Sequence, residues 1–480
     1  MVDTTGNKGD KTKVNEDGSL ESHFYISAKE MQEKLNATSK SLCLAKWKQV
    51  SLHLTTGHTN SCYHPPLHKI PTDELEENPA ALHNTPIKIA AREQMLNGEF
   101  PKECSYCWNI EKDNNLSDRA YRSGEPWAAE HFDSIVTGAP GSDIPSYVEV
   151  NFNSNCNLMC SYCSPQFSTT WMKEVKKYPD GYPTSTAHNK LEFFTGERQP
   201  ILHSAHNPYV EAFWNWWPEL YPELKHFRMT GGEPLMDKNT YRVFDYILEN
   251  PKPDLHLNVT SNFSVEPSLF DKYMDYSKQL CDGNNLEHFM QFISVDSYGP
   301  QAEYIRHGLD FNRMLDNVYR YLEEVPYKNS VTFIITMNML SIPNVHLLLN
   351  EILTLRDTFS DTYQRIWFDT PLLRQPAWQS IEIAPFSLRQ ELETIHEWME
   401  THQETADTRF KGFKDYEIQR IRRDIDWMNN SNLSRQEIAS RKADFYRFFN
   451  EHDNRRDTDF LKTFPELTSF WNQCKIEAEK

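Results

Sequence analysis

The chain has 480 residues and carries 69 acidic against 50 basic side chains, a formal net charge of −19 at pH 7. This length is typical of two to four domains, and the negative charge opposes binding along a nucleic-acid backbone. The first 22 residues are polar and no run of 18 apolar residues follows, so the sequence predicts neither a signal peptide nor a membrane span.

The amino-terminal residues 1–22 are rich in Lys, Asp, Gly and Asn, a composition that predicts a disordered tail. The chain has nine cysteines, and seven of them fall into two groups, one spread over residues 43–107 and one within residues 156–163. The remaining two, Cys281 and Cys474, have no neighbour at ligand spacing and receive no role. This usage argues against a disulfide scaffold and favours a reducing compartment such as the cytoplasm.

The first group of cysteines defines a predicted Cys-rich module over residues 23–111. It consists of Cys43, Cys62 and the C-x2-C pair Cys104 and Cys107. Four thiolates are the number that closes a tetrahedral zinc site or a fully ligated iron–sulfur cluster. From these residues alone, both a zinc ribbon and a cluster remain open.

The second group is the run C-x3-C-x2-C, formed by Cys156, Cys160 and Cys163. The alternating, β-prone segment Tyr147–Phe152 precedes it, so a strand is expected to lead into the cysteine loop. Three thiolates leave one metal position open for a ligand that is not protein. The sequence therefore places the chemistry of the chain at this loop.

A short strand is also expected at His226–Thr230, followed by Gly231, Gly232, Glu233 and a proline. Glycines let backbone approach a ligand closely, and a carboxylate after them accepts hydrogen bonds from an ammonium group. Alone, such a turn is a weak signal, but it gains weight because it follows the cysteine loop.

Strands and helices alternate beyond this turn, which predicts parallel βαβ units over residues 145–384. Further strands are expected at residues 255–261, 289–296, 331–338 and 365–370, and helices at 238–250, 266–278, 310–324 and 344–355. About six strands are too few for a closed eight-stranded barrel. Ligands of parallel α/β folds lie at the carboxyl ends of strands, where the candidate polar residues fall.

Three segments lack this alternation. Residues 112–144 hold clusters of Gly, Pro, Ser and Asp, and they predict a linker. Residues 176–208 form a long polar insertion, which is typical of a lid or binding element. Residues 385–480 predict a helical region that packs on the preceding domain.

The second cysteine group and the glycine turn resemble the radical S-adenosylmethionine (SAM) enzymes, including the aromatic Tyr162 before the last cysteine. In that family the three cysteines hold a [4Fe–4S] cluster, and the amino and carboxylate groups of SAM chelate its fourth iron. The resemblance implies an α/β fold with a partial (β/α)6 TIM-like barrel, in which the turn at Gly231–Glu233 holds the SAM amino group.

The same resemblance implies polar contacts to SAM from Asn262, Ser294, Asp296 and Arg306, and Asn338 is a further candidate because it lies at the carboxyl end of an expected strand. Hydroxyl and carboxylate groups suit a ribose diol, and an arginine can pair with the SAM carboxylate through two hydrogen bonds. Asn262 and Arg306 also have simpler interpretations, because Asn is a common turn residue and an arginine often lies on a helix surface.

The amino-terminal module resembles the SPASM/twitch modules that carry an auxiliary iron–sulfur cluster in some radical SAM enzymes, and the smaller twitch form is closer. In those enzymes the module usually follows the barrel, whereas here it precedes the barrel. The resemblance implies a second [4Fe–4S] cluster held by Cys43, Cys62, Cys104 and Cys107.

Together these resemblances imply reductive cleavage of SAM to a 5′-deoxyadenosyl radical, which abstracts hydrogen from a substrate such as a peptide or protein side chain. The auxiliary cluster would transfer an electron, and a flavodoxin or ferredoxin would supply reducing electrons. Two alternatives stay open, a zinc-stabilised binding protein and an electron-transfer protein without SAM turnover. The zinc alternative includes a three-cysteine site completed by His188 or His226.

Overall fold

The computed structural model describes residues 26–326, 328–360 and 362–480, together with two short strands near the amino terminus. Apart from those strands, the predicted disordered tail, residues 1–22, lies outside the described residues. Within the described residues the chain is a mixed α/β protein whose larger strands run mostly in parallel.

The strands of the described residues follow the predicted alternation closely. In chain order they are β1 Lys13–Val14, β2 Leu20–Glu21, β3 Gln49–His53, β4 His58–Asn60, β5 His68–Lys69, β6 Tyr147–Asn151, β7 Met159–Cys160, β8 His226–Thr230, β9 Lys252–Ser261, β10 Leu286–Ser294, β11 Arg306–His307, β12 Asn329–Ile334 and β13 Ile366–Asp369. All six strands expected from residue 147 onward are confirmed, with ends that differ by a few residues.

The helices expected between these strands are also confirmed. In chain order the α-helices are α1 Ala28–Thr38, α2 Ala45–Lys48, α3 Pro86–Leu96, α4 Ser105–Lys112, α5 Asp118–Gly124, α6 Pro126–Ala129, α7 Phe132–Thr137, α8 Thr169–Lys177, α9 Pro208–Leu220, α10 Lys238–Glu249, α11 Pro267–Cys281, α12 Gly299–Ile305, α13 Phe311–Glu324, α14 Ile342–Phe359, α15 Phe386–Thr401, α16 Asp415–Asn429, α17 Arg435–Arg456, α18 Phe460–Thr463 and α19 Thr468–Glu479.

The described chain divides into two compact units, and the first comprises Met1–Asn153, Ile201–Gly231 and Pro251–Val259. Its strands lie in the order β9-β8-β6-β3-β4-β5, parallel from β9 to β3 and antiparallel from β3 to β5. Val148 of β6 lies opposite Val50 on one side and Phe227 on the other. All three side chains are fully buried, so apolar packing fixes the register.

Strand β3 lies in the predicted Cys-rich module, residues 23–111, yet it pairs in parallel with β6. Its Val50 and Leu52 are buried. The module therefore contributes a strand to the sheet of the first unit, and the unit boundaries differ from the predicted boundaries of 23–111 and 145–384.

Residues 112–144 are folded rather than the linker that their composition predicts. They contain helices α5, α6 and α7, and the side chains of Trp127 and Ile135 are buried. The Ser146 hydroxyl donates a hydrogen bond to the Trp127 carbonyl at 2.5 Å. Turn-forming residues were present, but the buried apolar side chains between them decide the structure.

The second unit comprises Ser154–Pro200, Gly232–Asn250 and Thr260–Lys480. It holds the parallel strands β10, β12 and β13, and an antiparallel pair of β7 with β11. Helices occupy most of residues 385–480, as predicted, and Phe445 and Phe460 lie in their aromatic core with ring centroids 5.7 Å apart.

Among the helices of the described residues, none combines the length and the apolar character needed to cross a bilayer. Closure of the strands into a partial barrel stays a prediction.

Candidate cofactor sites

The three-cysteine loop lies in the second unit, where the short strand β7 ends at Cys160. This strand pairs antiparallel with β11, and the register places Arg306 opposite Cys160. The Ser161 amide donates a hydrogen bond to the Ile305 carbonyl at 2.8 Å, which extends the ladder. Residues separated by about 146 positions are thus brought together by backbone pairing.

Neighbouring side chains hold the backbone of this loop in place. The indole nitrogen of Trp171, in α8, donates to the Cys160 carbonyl at 3.0 Å. The amide of Asn189, in the 176–208 insertion, donates to the Cys163 carbonyl at 2.9 Å. The loop is therefore fixed both by α8 and by the insertion.

The three thiols lie close enough to influence one another. Burial raises the pKa of the Cys156 thiol well above its usual value, and the charges of Cys160, Glu233 and Cys163 raise it further. Burial is also the main cause that raises the pKa of Cys163 to about 12. Without a metal these groups are neutral thiols, so binding a cluster would release their protons.

The glycine turn packs backbone against backbone on the start of the cysteine loop. A Cβ atom on Gly232 would lie 2.3 Å from the Asn155 carbonyl oxygen and 2.7 Å from the Ser154 carbonyl carbon. The amide of Glu233 donates to the same Asn155 carbonyl at 2.7 Å. Gly231 adopts a φ of +117°, which only glycine adopts readily. Both glycines are therefore required by the geometry of the turn.

The Glu233 carboxylate, which is 2% exposed, faces inward from this turn. One oxygen accepts from the Leu235 amide at 3.0 Å, and the other accepts from the Asn262 amide at 2.8 Å. Burial raises the pKa of Glu233 to about 7, while these two amides act in the opposite direction. The Ser261 side chain also donates to this carboxylate, so three of its roughly four acceptor positions are in use and one can still accept a bond from an ammonium.

Arg306 joins Cys160 to a buried acidic partner. Its Nη1 lies 3.6 Å from the Cys160 sulfur, and its Nη2 donates to Asp296 Oδ1 at 2.9 Å. The Tyr162 hydroxyl donates to Asp296 Oδ2 at 2.7 Å, and the Thr336 amide donates to Oδ1 at 2.9 Å. Asp296 is fully buried. Arg306 and Asp296 bind each other, and their predicted contacts to SAM stay predictions.

Asn262 is also engaged within the protein. Its side-chain amide donates to Asn157 Oδ1 at 2.9 Å, and its side-chain oxygen accepts from the Ser264 amide at 2.8 Å. Asn157 belongs to the cysteine loop, so Asn262 connects the end of β9 to that loop. Its predicted contact to SAM stays a prediction.

Asn338 and Ser294 differ in their surroundings. Asn338 is fully buried, and its side-chain amide donates to the Thr336 carbonyl and to the Ser341 hydroxyl, both at 2.8 Å. Both amide hydrogens are therefore used inside a turn, and the predicted contact of Asn338 to SAM stays a prediction. Ser294 is half-buried at the end of β10.

The two histidines considered as zinc ligands pack against aromatic rings. His188 forms an edge contact with Trp378, with centroids 5.3 Å apart. His226 stacks on His256 at 4.6 Å and on Tyr147 at 5.3 Å, within the sheet of the first unit. Among the described residues, no group of three or more His, Cys, Asp or Glu side chains is arranged to hold a single metal ion.

The four cysteines of the amino-terminal group surround one cavity in the first unit. Cys43, Cys62, Cys104 and Cys107 all line it, although they come from three separate segments. The other side chains at this cavity include Tyr63, His64, Met95, Trp108, Asp118 and Arg119. All four cysteines predicted for the second site therefore line one cavity, and their role as ligands stays a prediction.

Backbone amides face the sulfurs of Cys43 and Cys62. The amides of Ala45 and Lys46 face Cys43, and the His64 amide faces Cys62. Burial nevertheless raises the pKa of Cys62, Cys104 and Cys107 to about 12. Amide donors aimed at cysteine sulfurs suit a thiolate-bound cluster, whose potential depends on such bonds.

Two buried cations also lie near the cysteines. The side chains of Lys46 and Arg119 are 2% and 1% exposed, and they pair with Glu103 and Glu111 respectively. Both cations oppose the rise in the pKa of Cys43 that burial causes. A cluster with four thiolates is anionic, so the donors and charges around this cavity fit such a group. No motif identified these two residues in the sequence, because only the fold brings them to the cavity.

No protein-family model and no curated protein sequence matches the chain. Among solved structures it is similar to Streptococcus suis SuiB bound to S-adenosylmethionine, with 12% identity, a TM-score of 0.33 and coverage of 70% of this chain and 65% of that one. SuiB bound to precursor peptide SuiA gives 12% identity, a TM-score of 0.34 and the same coverage. A further SuiB structure gives 11%, 0.31, and coverage of 74% and 68%.

The chain thus spans about 65% of the length of the first two SuiB structures.

Proposed function

We propose that this protein is a radical SAM enzyme that cleaves SAM reductively at a [4Fe–4S] cluster bound by Cys156, Cys160 and Cys163. The observation that carries the proposal is the packing of the Gly-Gly-Glu turn against the cysteine loop, where a Cβ on Gly232 would lie 2.3 Å from the Asn155 carbonyl. A zinc knot or an electron carrier has no need for a turn built so closely onto an open three-thiol loop.

The residues around this loop suit the two ends of SAM's amino-acid part. Glu233 offers a buried carboxylate that can accept from an ammonium group. Arg306 supplies a buried guanidinium beside Cys160, where it can bond a sulfur or a nearby carboxylate. When bound, the cluster and SAM would supply a 5′-deoxyadenosyl radical that abstracts hydrogen, and the protein would orient the reactants and exclude water.

The second site would hold a [4Fe–4S] cluster at Cys43, Cys62, Cys104 and Cys107. The cavity lined by all four cysteines, the amide donors to their sulfurs and the two buried cations support this assignment. If all four thiolates bind, no iron is left for substrate, so the cluster would transfer electrons. From the resemblance of the amino-terminal module to SPASM/twitch modules, we infer a peptide or protein side chain as the substrate. We infer a flavodoxin or ferredoxin as the electron donor.

The test compares SAM cleavage by the reconstituted protein with cleavage by its Cys160→Ala variant under anaerobic reduction. We expect 5′-deoxyadenosine from the wild-type protein and none from the variant, because the variant lacks one ligand of the open cluster. Cys281→Ala is the matched control, since Cys281 is a buried cysteine outside both groups. Cleavage that survives in Cys160→Ala would contradict the proposal.

A further inference from the structure

We propose that His64, held by Asp118 and covered by Tyr106, is the cap that separates the second-cluster cavity from solvent and thereby sets the stability and the potential of that cluster. This inference rests on the proposed function, because it concerns the cluster assigned to Cys43, Cys62, Cys104 and Cys107. His64 acts through the cluster's surroundings, so it is a positioning residue.

Three separate contacts fix His64 at the cavity. Its backbone amide faces the sulfur of Cys62, two positions earlier in the chain. Its ring Nε2 lies 2.6 Å from Asp118 Oδ2, and the ring stacks on Tyr106 with centroids 3.7 Å apart and planes inclined by 13°. Because the His64 backbone is held at its amide and the imidazole at one edge and one face, the side chain has little freedom to rotate away from the cavity.

The exposure of these side chains defines an order from solvent to cavity. Tyr106 is 36% exposed and lies outermost, whereas the His64 side chain is 11% exposed and lines the cavity. Asp118, at 20% exposure, lines the cavity as well. The imidazole therefore lies between the tyrosine ring and the space enclosed by the cysteines.

The His64 cap contacts the segments that carry Cys62, Cys104 and Cys107, and it also contacts the start of α5. Tyr106 stands between Cys104 and Cys107 at the start of α4, and His64 follows Cys62. Asp118 begins α5, and the amide of the neighbouring Arg119 faces Cys107. Loss of the imidazole would open the cavity and loosen the contact between these segments.

Solvent access has two consequences for a thiolate cluster. Water and oxygen reach the irons and sulfides more easily, so the cluster decays faster in air. Water also favours the more negatively charged reduced state, so the reduction potential rises toward less negative values. A residue with a merely structural role would change the yield of folded protein without shifting that potential.

The test uses the full-length Cys160→Ala variant as the parent, because the second cluster can then be observed alone. His64→Ala, Tyr106→Ala and His64→Phe are added singly and reconstituted with iron and sulfide. The readouts are iron content, the rate at which visible absorbance bleaches in air, and the potential from a redox titration followed by electron paramagnetic resonance.

We expect His64→Ala to bleach several-fold faster than the parent and to titrate at a less negative potential, with a smaller change in Tyr106→Ala. His64→Phe restores a stacked ring without the bond to Asp118, so it should recover most of the slow bleaching. His402→Ala is the control, since His402 is exposed and packs on Trp398 in the second unit.

Equal bleaching rates and potentials in the parent, His64→Ala and Tyr106→Ala would overturn the cap while leaving the cluster assignment standing. If His64→Ala binds no iron, the bleaching rate and potential of Tyr106→Ala are compared with those of the parent, and equal values would overturn the cap. A parent that binds no iron–sulfur cluster would overturn both the cap and the second site of the proposed function.

Discussion

Arg306 donates from Nη1 toward the sulfur of Cys160 at 3.6 Å while the same guanidinium binds the buried carboxylate of Asp296. A proposed cluster ligand is thus connected through one side chain to the end of a distant strand. The guanidinium also lies over the Tyr162 ring, 5.7 Å from its centroid. Removal of this cation should therefore affect both the cluster and the fold.

We predict that Arg306→Met destabilises the protein by about 3–5 kcal/mol, because it leaves the carboxylate of Asp296 buried without its cation. Chemical denaturation of the metal-free protein would measure the change. The double variant Arg306→Met, Asp296→Asn should recover part of the loss, since the remaining group is neutral. If Arg306→Met is as stable as the wild-type protein, the Arg306–Asp296 pair does not contribute to the free energy of unfolding as predicted.

We predict that Gly232→Ala abolishes SAM binding and removes iron from the three-cysteine site. The new Cβ would overlap backbone atoms of Ser154 and Asn155, which cannot move aside as the end of a flexible side chain could. Iron analysis and calorimetric titration with SAM would measure both effects.

The control for this change is Gly283→Ala, where a Cβ meets nothing within 4 Å and the φ is +68°. It should cost only the left-handed backbone penalty of about 1–2 kcal/mol and leave SAM affinity unchanged. Normal SAM binding by Gly232→Ala would show that the Gly231–Glu233 turn is not needed to bind the cofactor.

The pKa of Glu233, which burial raises to about 7, predicts opposite pH effects on binding and on stability. SAM's ammonium needs the carboxylate form, so SAM affinity should weaken as the pH falls below about 7. Glu233→Gln should bind SAM more weakly and lose this dependence. Titrations with SAM across this pH range would measure it, and an affinity that is flat in the wild-type protein would count against the role.

Stability should change in the other direction. The folded-state pKa lies above the ordinary value of 4.5, so the contribution of the neutral group is complete below pH 4.5 and is lost as the pH rises through about 7. Glu233→Gln keeps a neutral group at every pH. Its melting temperature relative to the wild-type protein should therefore increase as the pH rises through that range, measured by calorimetry without ligands.

We predict that Cys104→Ala lowers the iron content by about four per chain and still permits SAM cleavage in the absence of substrate. The reason is that Cys104 belongs to the second site, whereas SAM would bind at the first. In the presence of substrate, the Cys104→Ala variant should cleave SAM but form no product. Loss of SAM cleavage together with unchanged iron would contradict the division of roles between the two cysteine groups.

The sequence predicted the strands and helices beyond residue 147 because local patterns determine them. Alternating β-branched residues and amphipathic stretches are local signals, and β8 begins and ends at the predicted residues, His226 and Thr230. The cysteine spacing and the glycine turn were equally local, so both could be found before the fold was known.

Long-range pairings could not be predicted in this way. The parallel pairing of β3 with β6 joins residues about a hundred positions apart, and short segments such as Gln49–His53 give little periodicity. The linker prediction for 112–144 was wrong because turn residues there separate buried side chains such as Trp127. A single residue such as Trp127 gives no pattern from which its burial could be inferred.

The site shows the same division. Asp296, Arg306 and Tyr162 were each chosen from the family pattern, yet their mutual bonds depend on the pairing of β7 with β11. The amide hydrogens of Asn338 bind within a local turn that the sequence did not indicate, and its contact to SAM stays a prediction. His64 had no signal beyond its position two residues after Cys62.

The most direct test of the central claim is an anaerobic reconstitution of the wild-type protein with iron and sulfide, followed by reduction with dithionite and addition of SAM. The account predicts about eight irons per chain, from two four-iron clusters, together with 5′-deoxyadenosine. Zinc in place of iron, with no 5′-deoxyadenosine, would contradict it and favour a zinc-stabilised binding protein.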